Sequence, residues 1–143
     1  GLNHAGNVVC TDVRHTSGEP YQIVLSLQEQ MVKPDGEQFV LRANGSDAAI
    51  VQATIVDKSG NVCTLADNNI RFEVSGEGIY KGSYNFFNTE GKPLNYHTPG
   101  DRELQAEGGL MKVAVRSTFN PGKVIVKAYA DNLLNGVIEY TTF

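Results

Sequence analysis

Four stretches of this chain alternate apolar and polar residues with a period of two, and that pattern restricts the fold more than any other feature of the sequence. In Asn69 to Ser75, Ile70, Phe72 and Val74 point one way while Arg71, Glu73 and Ser75 point the other. Ala49 to Asp57 sets Val51, Ala53 and Ile55 against Gln52 and Thr54. Met111 to Ser117 opposes Met111, Val113 and Val115 to Lys112 and Arg116, and Val124 to Ala130 turns Val126 and Ala128 inward and Lys127 outward. Successive side chains of a strand leave opposite faces, so each segment has one dry and one wet face. Antiparallel sheets packed on one another have this character.

Turn chemistry separates the strands. Pro34-Asp35-Gly36, Asn44-Gly45, Lys58-Ser59-Gly60-Asn61, Asp67-Asn68-Asn69, Ser75-Gly76-Glu77-Gly78 and Asn120-Pro121-Gly122 combine residues that tolerate or cap tight backbone bends. No segment carries a helical apolar stripe; at most one helical turn is expected, over Asp101 to Glu107. Short strands spaced in this way predict an all-β sandwich.

The 143 residues suit one domain, or one domain plus a strand left from a neighbour. With 41% hydrophobic and 20% charged residues, the body of the chain can build a core. A net charge of −4, with no run of Lys or Arg, argues against nucleic acid and anionic membranes as partners. No apolar run approaches the roughly 18–20 residues needed to cross a bilayer as a helix, so membrane insertion is not expected. The opening Gly1, in place of Met, is expected to be a scar of excision from a longer parent that carries any targeting signal. Cys10 and Cys63 have no neighbouring Cys or His at metal-ligand spacing. A disulfide between them stays open, and two buried thiols acting as small hydrophobes is the preferred reading.

Two stretches break the rhythm. Tyr80 to Gly100 shows no clean alternation and reads as a long loop, which at that length in a compact domain is usually functional or mobile. Near the start, Val9, Thr11 and Val13 fit a strand, after which His15 to Pro20 reads as a linker. We therefore divide the chain into residues 1–19, a strand and linker from a preceding boundary, and residues 20–143, the sandwich.

Candidate chemistry is thin. Glycoside hydrolysis needs two carboxylates about 5–10 Å apart, one with a raised pKa. Glu73, Glu77, Glu90, Asp101, Glu103 and Glu107 supply carboxylates, but on wet faces or among polar turn residues. His4, His15 and His97 lie in loop-like or terminal segments, and no Gly-x-Ser-x-Gly elbow occurs. Asp57, Asn61, Asp67 and Asn68 could offer oxygens to calcium, yet their spacing matches no calcium loop and turn capping explains them first. No catalytic constellation, metal or cofactor is expected.

Six segments in order then point to a family. They are Gly6-Asn7-Val8-Val9, Thr16-Ser17-Gly18-Glu19-Pro20, Ala43-Asn44-Gly45-Ser46-Asp47-Ala48-Ala49, Val56-Asp57-Lys58-Ser59-Gly60-Asn61, Ile70 to Gly78 and Val115-Arg116-Ser117-Thr118. Their order and spacing resemble the carboxy-terminal immunoglobulin-like domains of family-two glycoside hydrolases, the β-galactosidase group, over about Gly6 to Ala130. The chain departs from the family pattern after Gly82, where Ser83 to Asn88 replaces an Asn-Gly-Asp loop, and in extra sequence from Gln28 to Phe39. The resemblance implies an immunoglobulin-like antiparallel β-sandwich with Greek-key connections, exported to the periplasm, cell surface or medium of a bacterium. It also implies an accessory, non-catalytic role beside a barrel acting on β-linked sugars, with the other domains of the parent as partners. A different reading is a bacterial surface adhesin repeat of the invasin type, which shares the Ala-Asn-Gly opening and the Phe-x-Val-x-Gly-x-Gly run; no second copy of the unit occurs in this chain.

One patch is a candidate for carbohydrate or inter-domain contact. Tyr80, Tyr84, Phe86, Phe87, Tyr96 and His97 cluster in a chain whose aromatic content is only 8%, with Asn85, Asn88 and Asn95 beside them. Rings can stack on the apolar faces of pyranoses. Equally, they can pin a long loop to the sandwich edge or to a neighbouring domain.

Overall fold

The structure is a computed structural model and describes residues 2–10, 16–28, 40–83 and 100–143. Among these residues lie eight strands: β1 (Gln22–Leu27), β2 (Ala48–Val56), β3 (Asn69–Gly76), β4 (Gly78–Gly82), β5 (Glu103–Gln105), β6 (Leu110–Ser117), β7 (Gly122–Tyr129) and β8 (Gly136–Thr142). They form two four-stranded sheets, in the orders β1-β2-β6-β4 and β5-β3-β7-β8. Every strand pair is antiparallel. Setting β5 aside, the two orders are those of an immunoglobulin constant-type sandwich, with the Greek-key crossing of the chain between sheets.

The alternation decides which faces meet. Ile70 and Phe72 of β3, Val51, Ala53 and Ile55 of β2, Val113 and Val115 of β6, and Val124 and Val126 of β7 are buried between the sheets. Their neighbours Arg71, Glu73, Lys112 and Lys127 face out. The four other strands complete the core: Ile23 and Leu25 of β1, Tyr80 of β4, Leu104 of β5 and Tyr140 of β8 are also buried. The sheets are joined along one side, where the amide of Ile23 donates to the carbonyl of Leu134 and that of Leu134 to the carbonyl of Tyr21. At the far end of β8, Leu41 pairs with Thr142. These contacts tie the two ends of the β8 edge to the other sheet and to Leu41.

Three sequence expectations change. The span Asp101 to Glu107 forms β5 and a tight turn rather than a helical turn. Leu104 is buried while Glu103 is exposed, a period of two that three residues are too few to display, and pairing with β3 decides the matter. Tyr80 to Gly82 belong to β4 rather than to a loop, and residues 84–99 lie outside the described residues. Cys63 is buried but Cys10 is exposed, and no disulfide joins them. Cys10 follows a small turn closed by the Leu2–Val8 bridge, where no sheet face shields it. Val9 takes part in no strand, and Thr11 and Val13 lie outside the described residues.

Candidate functional site

Of the six rings in the sequence patch, Tyr80 is described; Tyr84, Phe86, Phe87, Tyr96 and His97 lie outside the described residues. Tyr80 turns inward from β4 and is only 9% exposed. Its ring stacks with Phe72 at 6.4 Å between centroids and 24° between planes. The guanidinium carbon of Arg102 stands 5.0 Å from the same ring centroid. The hydroxyl donates a 2.6 Å hydrogen bond to the carbonyl of Asp101. Burial pushes the phenol up to about 12, although Arg102 pulls the other way. Tyr80 therefore fastens the approach to β5 onto β4, and its ring is already occupied by protein. Beside it the backbones of Gly82 and Gly100 come into contact, so the two flanks of segment 84–99 meet at one end of the sandwich.

The same end holds a heavily bonded carboxylate, Asp57. Asp57 closes β2, and its Oδ1 accepts from the amides of Ser59 (2.8 Å) and Asn61 (2.9 Å). Its Oδ2 accepts from the amide of Gly18 at 2.8 Å and from Asn61 Nδ2 at 3.2 Å. The bond from Gly18, then that from Asn61, hold the acid down at about 2. Cys63 lies alongside with its Sγ 3.5 Å from the carbonyl of Gly18. Burial and the Asp57 charge push its thiol up. With both oxygens of Asp57 engaged by N–H donors, turn capping accounts for the Asp57–Asn61 pair. Among the described residues, no group of three or more His, Cys, Asp or Glu is placed to hold a metal ion.

Three further carboxylates have structural surroundings. Glu73 lies 3.6 Å from Arg71 on an exposed face. Glu77, between Gly76 and Gly78, accepts a short bond from the Thr118 hydroxyl, which ties the β3–β4 connection to the end of β6. At that opposite end, Asn44 and Asp47 form a reciprocal turn: Asn44 Oδ1 accepts the amides of Ser46 and Asp47, and Asn44 Nδ2 donates to Asp47. The Ala-Asn-Gly and Val-Asp-Lys-Ser-Gly-Asn motifs are thus loop-fixing devices at the two ends of one sandwich. His4 is exposed, and His15, Glu90 and His97 lie outside the described residues.

Residues 32–139 match the family model described as "Glycoside hydrolase family 2 C-terminal domain 5". The chain belongs to this family. It is 34% identical over 118 residues to a β-glucuronidase of Formosa agariphila, a match covering 82% of this chain and 11% of that protein. It is 30% identical over 135 residues to the β-galactosidase BoGH2A of Bacteroides ovatus, covering 94% of this chain and 14% of the relative. This family 2 C-terminal domain thus spans 11–14% of the length of these two curated relatives. Among solved structures, it superimposes on part of a family 2 β-glucuronidase with a TM-score of 0.72 and 29% identity, covering 91% of this chain and 12% of that one. A β-glycosidase from Bacteroides vulgatus shares the fold at a TM-score of 0.75 and 20% identity, over 99% of this chain and 16% of the other. The family match decides between the glycosidase and adhesin readings in favour of the former.

One residue near the Asp57 end went unremarked in the sequence. Leu65 is 95% exposed, and its only sequence signal is an apolar side chain next to the turn Asp67-Asn68-Asn69.

Proposed function

We propose that this family 2 C-terminal domain is a non-catalytic accessory module of an exported bacterial glycosidase, serving as a spacer packed against the other domains of its parent. Proportion carries this reading: the chain matches a C-terminal domain and accounts for 11–14% of the two relatives named above. The placement of its carboxylates supports it, since Asp57, Glu73 and Glu77 are engaged in capping, surface pairing and loop closure. The names of the relatives suggest a parent acting on a β-galactoside or β-glucuronide. Export to the periplasm, cell surface or medium, and weak sugar contact through segment 84–97, are finer parts of the same proposal.

The test is to incubate the 143-residue chain with aryl β-galactosides and β-glucuronides, and to titrate it with the corresponding oligosaccharides to about 10 mM, where a millimolar site would fill. No turnover is expected. Turnover that survives repurification and is lost on substitution of one carboxylate would overturn the non-catalytic reading. Saturable binding would add carbohydrate contact to the module, and flat titrations would remove it.

A further inference from the structure

Leu65 sits where turn chemistry does not ask for it. The amide of Ala66 donates to the carbonyl of Cys63, which makes Thr64 and Leu65 the two central residues of a tight turn. Such positions usually carry Gly, Asn, Asp or Ser. The turn is firmly held: Cys63 N donates to Ile55 O, Gly109 N to Ala66 O, and Ile55 N to Gly109 O. Cys63 and Ala66 are buried, so the backbone anchors inward and aims Leu65 at solvent. Because the backbone beneath it is already fixed, covering this exposed apolar side chain costs little beyond its own rotamer freedom.

The path of the chain says what covers it. Ser17, Gly18, Glu19 and Pro20 line one concavity together with Cys63 and Leu65. Gly18 is fixed to Asp57, and Tyr21 N donates to Val56 O, so the chain enters the sandwich at this end. Leu134, also exposed, is bonded to Tyr21 at the same end. Upstream, Leu2, Val8 and Val9 are each more than three-fifths exposed, apolar groups that this chain leaves uncovered. The relatives are several times longer, and the matched family is a C-terminal domain.

We propose that the Asp57 end of the sandwich, centred on Leu65, docks against the domain that precedes this one in the same parent chain. The inference rests on the accessory-module reading and adds the docking face. The partner surface is an apolar pocket that receives Leu65, with basic groups on its rim to meet the exposed Glu19 and Asp67. The opposite end also exposes aromatic rings, Phe119 and Phe143, but the chain enters the sandwich at the Asp57 end, through Gly18 and Tyr21.

The experiment compares alkylation rates in the 143-residue chain and in the full-length parent. Leu65→Cys and, as the opposite-end probe, Phe119→Cys are each placed in a Cys10→Ser background, with buried Cys63 retained. Both are expected to react rapidly with a maleimide in the 143-residue chain. In the parent, Leu65→Cys should slow by roughly tenfold or more while Phe119→Cys stays fast. Protection of Phe119→Cys instead of Leu65→Cys overturns this docking face and leaves the accessory reading standing. Equal, unprotected rates for both in the parent overturn the docking face and the packed-spacer reading together.

Discussion

The carboxylate of Asp57 accepts the backbone amide of Gly18 at 2.8 Å, across 39 residues of sequence. That bond joins the segment preceding the sandwich to the turn that closes β2, and it shares its acceptor with the amides of Ser59 and Asn61. Two local motifs distant in sequence are thereby one structural unit.

Asp57→Asn is expected to lower stability in a pH-dependent way. In the folded chain the acid titrates at about 2, below its ordinary 3.8. A depressed folded value means that the stabilisation is fully present above about pH 4 and is lost as pH falls through about 2. Urea midpoints should therefore differ between wild type and Asp57→Asn at pH 6, and the difference should shrink between pH 4 and pH 2. A difference constant across that window would mean that the charged form is not what Gly18 and Asn61 recognise.

Tyr80→Phe keeps the stack on Phe72 and removes the bond to the Asp101 carbonyl. The expected loss is about 1–2 kcal/mol in urea unfolding, the usual cost of deleting a partly buried hydrogen bond. Hydrogen exchange should locate the loosening at β5, whose approach this bond secures.

Gly78→Ala overfills the core. A Cβ there would stand 2.5 Å from Val124 Cγ1 and 2.9 Å from Val115 Cγ1. Both valines belong to central strands and have nowhere to move, so a loss of about 1–3 kcal/mol is expected. The double variant Gly78→Ala, Val124→Ala should recover part of it in the same unfolding assay, because the second change removes the methyl groups in the way.

The two thiols should separate cleanly under a disulfide reagent. Cys10 is exposed and should react in the native protein, whereas Cys63 is buried with its thiol pushed up. Cys63 is expected to react at least about a hundredfold more slowly, at the rate at which the sandwich opens.

What could be read in the sequence follows from range of interaction. The strands β2, β3, β6 and β7 announce themselves because each buries one face against the other sheet, and that alternation is local. The turn-capping role of Asp57 was equally visible, since Ser59 and Asn61 stand within four residues of it. Its partnership with Gly18 was not, because nothing local relates positions 18 and 57. Residues 103–105 were hidden by brevity: one buried Leu104 cannot show a period, and only the pairing with β3 makes the segment a strand. Tyr80 reads as the start of a loop because clean alternation stops there, yet it lies in β4, where Gly78 and Gly82 serve close packing and a bulge. Leu65 carries no local signal of its exposure, because its outward aim exists only once Cys63 and Ala66 are buried on either side of it.

The bonds at the two ends of β8 have a mechanical consequence. Gly18 is fastened at one end of the sandwich, and Phe143 leaves at the other, where its carbonyl accepts the amide of Ala43. Tension applied between these two points runs along the strands, so the bonds from Ile23 to Leu134 and from Phe143 to Leu41 are loaded sideways and together rather than peeled one at a time. A body held in that way resists stretching as a strut does, and passes a pull on one end to the other with little change in its own length.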